Sequence, residues 1–331
     1  MARGPKSSPQ ESDVDIVARA AWLHFVGGLT QNEVAERLGL STSSAHRAIA
    51  KAQGLGFVHI TVDATAAPCV QLENALIERF GLTACHVAMD LAEPAPIPLR
   101  ALGAAGANWL GHMLDSGAHE VIGVSHGRTI AAVVEAMRPR ARPGVTFVSL
   151  LGGLTRSLAA NPYDVIHRLA QKTGAAGYLM PAPLFTDTAQ DKDMLMGQSM
   201  LRTAFEHMDR ATLAIVGIGD LQSSVGIAEA EQDGPVLAGA LRREGAVAEI
   251  LGQFLDAGGN ILSTPFDGRT MSAPLGDLRG RDIVAIAGGA SKVEAIAAAL
   301  KSGLLTGLII DEATARTLVG RLEGKETVAA E

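Results

Sequence analysis

Cysteine is nearly absent from this chain of 331 residues: Cys69 and Cys85 are the only two. They form no C-x-x-C pair and have no clustered histidines, which excludes a disulfide framework and a zinc knuckle. Two reduced, buried thiols in a cytoplasmic protein are the expectation, with no metal and no cofactor. Aromatic residues are also scarce, at 4%. No apolar run approaches the roughly 20 residues that cross a bilayer. The opening stretch "MARGPKSSPQESD" lacks the apolar core of a secretory signal. Residues 1–12 therefore read as a disordered tail. Positive charge is in short supply as well. The formal net charge of −7 argues against a general nucleic-acid coat protein.

What the chain does have is hydrophobic residues at 47% and 37 glycines. It can fill a large core, and its length suits two domains. Small residues on this scale fit tight strand–turn–helix packing. Charge is unevenly spread. Residues 1–60 carry six Lys and Arg against five Asp and Glu, whereas the remainder is −8. Any DNA contact belongs to the front segment.

That segment, residues 13–64, has helical patterns around one glycine turn. Val14, Val17, Ala18, Ala21, Trp22 and Phe25 recur at helical spacing from Asp13 to Val26 and are expected to face inward. Thr30 with Glu33 three residues on matches a capping box. A helix from about Gln31 to Leu38 would bury Val34, Ala35 and Leu38. Gly39 permits a sharp turn, and Ser41 or Thr42 caps a third helix with Ala45, Ala48 and Ile49 inside. Its outer face shows Thr42, Ser43, Ser44, His46, Arg47 and Lys51. A helix that reads DNA needs hydroxyls and amides for base edges and phosphates, and cations for phosphates. Thr30, Gln31 and those six residues form the candidate DNA-binding set. "GLGFVHITVD" then predicts a short strand, as in a small wing. The helix from Val70 to Phe80, within a linker spanning 65–82, would join the domains or pair with its copy in a dimer.

From residue 83 to 322 short apolar runs alternate with helical stretches. The predicted strands are "TACHVAM", "EVIGVS", "VTFVSLL", "AAGYLMPA", "ATLAIVGIG", "RDIVAIAG" and "TGLIID". Helices are expected near 99–114, 129–137, 162–173, 190–208, 239–255, 292–302 and 313–320, with a tail at 323–331. The pattern predicts an α/β class: a doubly wound, mostly parallel sheet covered on both faces. Ligands in such sheets sit beyond the carboxyl ends of the strands. There, Ser125, His126, Gly127, Arg128 and Thr129 open directly into a helix, an arrangement that favours an anion. Gly152 and Gly153 would let the backbone approach a ligand, and Thr155 offers a hydroxyl. Gly288, Gly289, Ser291 and Lys292 repeat the logic. Asp220, Asp256 and Asn260 supply acceptors for sugar hydroxyls. "GIGD" has two glycines without a third, which speaks against a dinucleotide site.

The chain resembles the SorC/DeoR-type family of bacterial sugar-responsive transcriptional regulators from about Asp13 to Leu322. The stretches that carry this are "GLTQNEVAERLGLSTSSAHRAIAKA", "GVSHGRT", "LLGGLT", "VGIGD", "GQFLDAGG", "AGGASKVEAIAAAL" and "GLIIDEATA". The resemblance implies an N-terminal helix-turn-helix and an effector domain similar to sugar-phosphate isomerases and deaminases. It also implies a homotetramer on operator DNA, whose affinity changes when a sugar, polyol or sugar phosphate binds. Carried over, Ser125 to Thr129, the Gly152–Gly153 turn and Lys292 would line the effector pocket. The family loop usually reads "GWGRT" or "GTGRT", so the "SHGRT" found here departs from it at His126. The sequence looks nearest to the branch that answers to polyols such as erythritol.

Two other readings stand beside the regulator. A sugar-phosphate isomerase or deaminase with an appended helical domain would need a general base, for which His126 and Asp220 are the candidates. A pure protein-interaction module leaves the polar loops unexplained.

Overall fold

In the computed structural model, residues 9–58, 67–153, 165–221 and 234–329 are described. The chain divides into two units, Met1–Ala64 and Thr65–Glu331. In the first, α1 (Pro9–Ala21) starts earlier than Asp13, so residues 9–12 are helical rather than part of a tail. It runs into a π-helical turn, Trp22–Val26, closed by the Gly27 N–H on the Trp22 carbonyl at 2.9 Å. Helices α2 (Gln31–Leu38) and α3 (Thr42–Gly54) follow. Val17, Ala20, Ala21, Val34, Ala35, Ala45, Ala48, Ile49 and Ala52 form the core of this unit. Six of these nine are alanines, and Leu23, Phe25, Leu29, Leu38 and Val58 pack partly buried against them. Trp22, expected inside, is 66% exposed, and Val14 is exposed too. Of the predicted wing, residues 54–63, the part at 59–63 lies outside the described residues; Phe57 and Val58 are not in a strand.

The second unit opens with α4 (Ala67–Phe80), whose Cys69, Leu72 and Leu76 are buried. Its strands are β1 (Ala84–Ala88), β2 (Val121–Val124), β3 (Thr146–Ser149), β4 (Ala176–Tyr178), β5 (Leu213–Val216), β6 (Ala246–Ile250), β7 (Gln253–Asp256), β8 (Asp282–Ile286) and β9 (Gly307–Asp311). The remaining α-helices are α5 (Leu99–Ser116), α6 (Arg128–Ala136), α7 (Ile166–Thr173), α8 (Ala189–Met196), α9 (Ser199–Asp209), α10 (Gly234–Arg243), α11 (Val293–Lys301) and α12 (Glu312–Ala329). The seven strands predicted for the sheet pair in parallel, in the order β1-β9-β8-β5-β2-β3-β4.

Alternation along each strand explains the two apolar layers. Ile122, Val124, Phe147, Ile215 and Ile286 point into one, with Leu102, Leu110, Val133 and Ile166 from α5, α6 and α7. Val121, Val148, Val216, Ala285 and Ile310 point into the other, with Leu76, Leu201, Ile296 and Leu318 from α4, α9, α11 and α12. Both faces are covered, which is what continuous apolar strands require. Helix α4 uses its apolar face in this second layer, so it belongs to the body of the unit rather than to a free linker.

Three expectations change. The helix at 190–208 is two, broken at Gly197–Gln198. The helix at 239–255 ends at Arg243, and an antiparallel hairpin, β6–β7, follows Gly245. A run of small apolar residues fits either period, and the hairpin's inside–outside alternation shows only once packed. The tail at 323–331 is helical as far as Ala329.

Helices α5 and α6 pack closely enough that an added Cβ at Gly103 would lie 2.9 Å from the Ala132 carbonyl oxygen, a backbone atom. Gly103→Ala is expected to destabilise the chain by about 1–3 kcal/mol. Gly320→Ala, with open space around an exposed helical position, should be neutral or stabilising by about 1 kcal/mol. Chemical denaturation of both variants checks this; equal effects would contradict the packing.

Candidate functional sites

The first site is the outer face of α3. Thr30 caps α2, its hydroxyl accepting the Glu33 N–H at 3.4 Å while Glu33 accepts the Thr30 N–H at 2.7 Å. The Thr30 N–H foremost, and then the Thr30 hydroxyl, which donates to the same carboxylate at 2.8 Å, hold the Glu33 carboxyl below its ordinary value. Gln31 is the first residue of α2 and half-buried. Gly39 turns the chain in the left-handed region at φ 64°. Ser41, not Thr42, caps α3 by accepting the Ser44 N–H at 3.2 Å. Val34 and Ala35 then pack on Ala45, Ala48 and Ile49. That packing turns Thr42, Ser43, His46 and Arg47 to solvent, with Ser44 half-buried.

Arg47 lies along its own helix, donating to the Ser43 carbonyl and the Ser44 hydroxyl, both at 3.3 Å. Lys51 differs from expectation. Its ammonium is 2.5 Å from Asp13 of α1, so its charge is already matched within the unit. The geometry gives a solvent-facing helix rich in donors whose net cationic strength is one arginine and, while Asp13 holds it, little of Lys51.

The second site lies where the strand order reverses. From β2 the chain steps outward to β3 and β4, then returns to β5 on the other side of β2. The loops leaving β2 and β5 diverge there and leave a crevice. Ser125 stitches its floor. Its N–H bonds the Ile215 carbonyl at 2.8 Å, and its buried hydroxyl accepts the Gly217 N–H at 3.0 Å. Gly127, at φ 134° with open space where a Cβ would be, is the N-cap of α6 and supplies no capping side chain. The first N–H groups of α6 thus have no side-chain cap; Arg128 is the first residue of that helix, and Thr129 after it is buried. His126 reaches Ser149 at the end of β3, Nε2 to Oγ 3.0 Å. Ser149 gives its own proton to the Leu151 carbonyl at 2.7 Å, so the imidazole is the donor to it.

The turn after β8 closes the other side. Lys292 is buried and donates to the Ile218 carbonyl at 2.6 Å, and Ser291 donates to Asp220 at 3.3 Å. Burial above all holds Lys292 below the ordinary lysine value, Asp220 pulls it back up, Arg128 lowers it again, and Glu249 raises it. Arg128 and Lys292 are therefore close enough to feel each other, with two carboxylates in partial compensation. The crevice can take an anionic end at the α6 terminus and hydroxyls at Asp220 and Ser291.

Other candidates fall elsewhere. The N–H groups of Gly152 and Gly153 are spent on the Met271 and Ala182 carbonyls at 2.8 and 2.7 Å. That turn is a structural junction and does not offer its N–H groups to a ligand. Asp256 and Asn260 bond each other, Asn260 Nδ2 to Asp256 Oδ2 at 2.9 Å, and that bond first holds Asp256 below its ordinary value. Their turn is tied to Lys301, the last residue of α11, through the Ala257 carbonyl. Lys292 precedes the first residue of α11, so nine helical residues put the two about 13 Å apart. They are not part of the crevice. Thr155 lies outside the described residues. Glu249 was missed because its segment read as a helix. Ser149 was missed because a serine ending an apolar strand carries no signal in one sequence.

A chain that carries both a helix-turn-helix unit and a doubly wound sheet with a polar, charged crevice fits the class of ligand-responsive transcription regulators. Comparison with known proteins narrows it. Residues 65–320 match Sugar-bind, a sugar-binding domain family, and residues 20–67 match the MarR family. The chain is 47% identical to the erythritol catabolism regulatory protein EryD of Brucella abortus (strain 2308), over 95% of this chain and 99% of that one. It is 31% identical to the transcriptional regulator LsrR of Enterobacter sp. (strain 638), over 93% and 94%. Its structure matches the full-length sorbitol operon regulator SorC from Klebsiella pneumoniae with a TM-score of 0.71, at 25% identity, over 95% of this chain and all of that one. The chain belongs to the SorC-type family of sugar-binding transcriptional regulators, and it is a regulator rather than an isomerase or deaminase. Among the described residues, no helix is long and apolar enough to cross a membrane.

If DNA phosphates compete with Asp13 for Lys51, then Asp13→Asn should release that cation. DNA affinity at low salt is expected to rise a few-fold, with the slope of log K against log salt steepening by about 0.9. Fluorescence anisotropy over a salt series measures both; an unchanged slope would show that Lys51 touches no phosphate.

Proposed function

We propose that this regulator controls an operon for polyol catabolism and senses a small polyol or its phosphate ester in the crevice between β2 and β5. The observation that carries the reading is the meeting of Arg128 and buried Lys292 near the uncapped start of α6, with Asp220 and Ser291 beside them. An anion gains there from oriented N–H groups and two cations at once. The erythritol catabolism regulator at 47% identity supports a four-carbon polyol skeleton. Operator recognition falls to Thr42, Ser43, Ser44, His46 and Arg47, with Thr30 and Gln31 at the start of α2 near the phosphate backbone. A reading helix this weakly charged binds usefully only when repeated, so the active form is a symmetric oligomer in the cytoplasm, a tetramer in this reading. The ligand alters DNA affinity by favouring one arrangement of that oligomer.

Thermal shift against erythritol, other polyols and their phosphate monoesters tests the effector, since a ligand of the folded state raises the melting temperature. A phosphate ester should lose at least tenfold in affinity with Lys292→Ala and a neutral polyol far less. Equal losses would remove the phosphate assignment. Because Lys292 sits below the ordinary lysine value, rising alkaline pH deprotonates it early. Affinity for the ester should then fall across that range, while a neutral polyol keeps a flat profile.

Arg47→Ala is expected to weaken specific operator binding by about 10- to 100-fold, the loss of one good base contact, and to leave effector binding intact. Operator affinity unchanged in gel shifts would reassign the reading helix.

A further inference from the structure

We infer that Asp311 and Thr314 are positioning residues for Lys292, acting through the turn between β8 and α11; the inference rests on the effector reading above. Asp311 ends β9 and Thr314 lies in the first turn of α12, and both are buried. Asp311 Oδ1 accepts the Gly289 N–H at 3.0 Å and the Thr314 hydroxyl at 2.7 Å, and Oδ2 accepts the Thr314 N–H at 3.0 Å. The Thr314 hydroxyl in turn accepts the same Gly289 N–H at 2.8 Å. One backbone N–H of the turn is thus held by two buried oxygens that are themselves bonded to each other.

The turn has little freedom around that clamp. An added Cβ at Gly288 would overlap the Asp311 carboxylate, and one at Gly289 would lie 2.6 Å from the Pro96 carbonyl oxygen. Gly289 stands at φ 105°, open to glycine alone, and its carbonyl accepts the Lys292 N–H at 2.9 Å. The clamped residue therefore starts the short helical turn, Ala290–Lys292, that aims Ser291 at Asp220 and Lys292 at the Ile218 carbonyl. A buried lysine has no solvent to reorient into, so its placement follows the backbone beneath it.

The test uses the full chain with Thr314→Val, which keeps the shape and removes the hydroxyl, and Thr314→Ser, which restores it. Each is made alone and with Lys292→Ala. The probes are erythritol and its phosphate monoester, read by calorimetry. Thr314→Val should weaken the ester about tenfold in the native background and less than twofold beside Lys292→Ala, because a residue acting through Lys292 has nothing left to position. Thr314→Ser should stay within twofold of the native chain. Equal losses in both backgrounds, or a serine variant as weak as valine, would overturn the assignment. Amide hydrogen exchange without ligand gives an independent reading. Thr314→Val should speed exchange across residues 287–293 at least tenfold while β2 stays protected, and unchanged exchange there would overturn the assignment. If neither probe binds the native chain but exchange rises as stated, the positioning role holds and the effector reading fails.

Discussion

The strand order of the sheet reverses at one place, and there Ser125 carries the β2–β5 pairing past the ends of the two strands. Ser125 spends its N–H on the β5 carbonyl of Ile215 and its oxygen on the Gly217 N–H beyond it. Most groups at the crevice leave from one of those two exits or from the turn after β8, with Ser149 of β3 and Glu249 of β6 added from outside them. His126, Gly127 and Arg128 follow the β2 exit directly. Asp220 follows the β5 exit, and Lys292 reaches across to the Ile218 carbonyl of the same loop. A hydrogen bond buried this deep is costly to break because the freed N–H finds no water. The crevice floor is therefore fixed before any ligand arrives.

What sits on that floor is electrostatically unfinished. Arg128 and Lys292 push on each other, and burial adds to the cost of charging Lys292. Asp220 and Glu249 return part of that cost without cancelling it. A helix start with no capping side chain lies alongside. On the front unit the balance runs the other way. Asp13 meets Lys51 and so offsets one cation of the outer face of α3, while Arg47 lies along its own helix on uncharged oxygens.

Much of this was legible in the residues. Seven short apolar runs became seven parallel strands because nothing but a doubly covered sheet can bury them. Thr30 with Glu33 and the glycine at 39 set the helix-turn-helix locally, through bonds that span three or four residues. The "SHGRT" loop was placed by one rule about strand ends. The errors lie where long-range packing decides. Trp22 matched the helical period but lies outside the core, to which α1 contributes Val17, Ala20 and Ala21. Asp256 and Asn260 looked like acceptors for a ligand, yet five residues of local turn satisfied them first. Gly152 and Gly153 looked like room for a ligand, and distant carbonyls at 182 and 271 took their N–H groups. Polar residues in glycine-rich turns announce that something is bonded there; only the fold says whether the partner is a ligand or the chain itself.

The tryptophan that missed the core leaves the molecule with a useful optical asymmetry. The chain has two indoles, and each unit contains one: Trp22, largely exposed, in the first, and Trp109, half-buried on α5, in the second. Water around Trp22 shifts its emission to longer wavelength and leaves it open to soluble quenchers, while the half-buried Trp109 is less exposed to both. Intrinsic fluorescence therefore resolves the two halves without a label. Quencher access follows events at the front unit, and the blue edge of the spectrum follows the sheet.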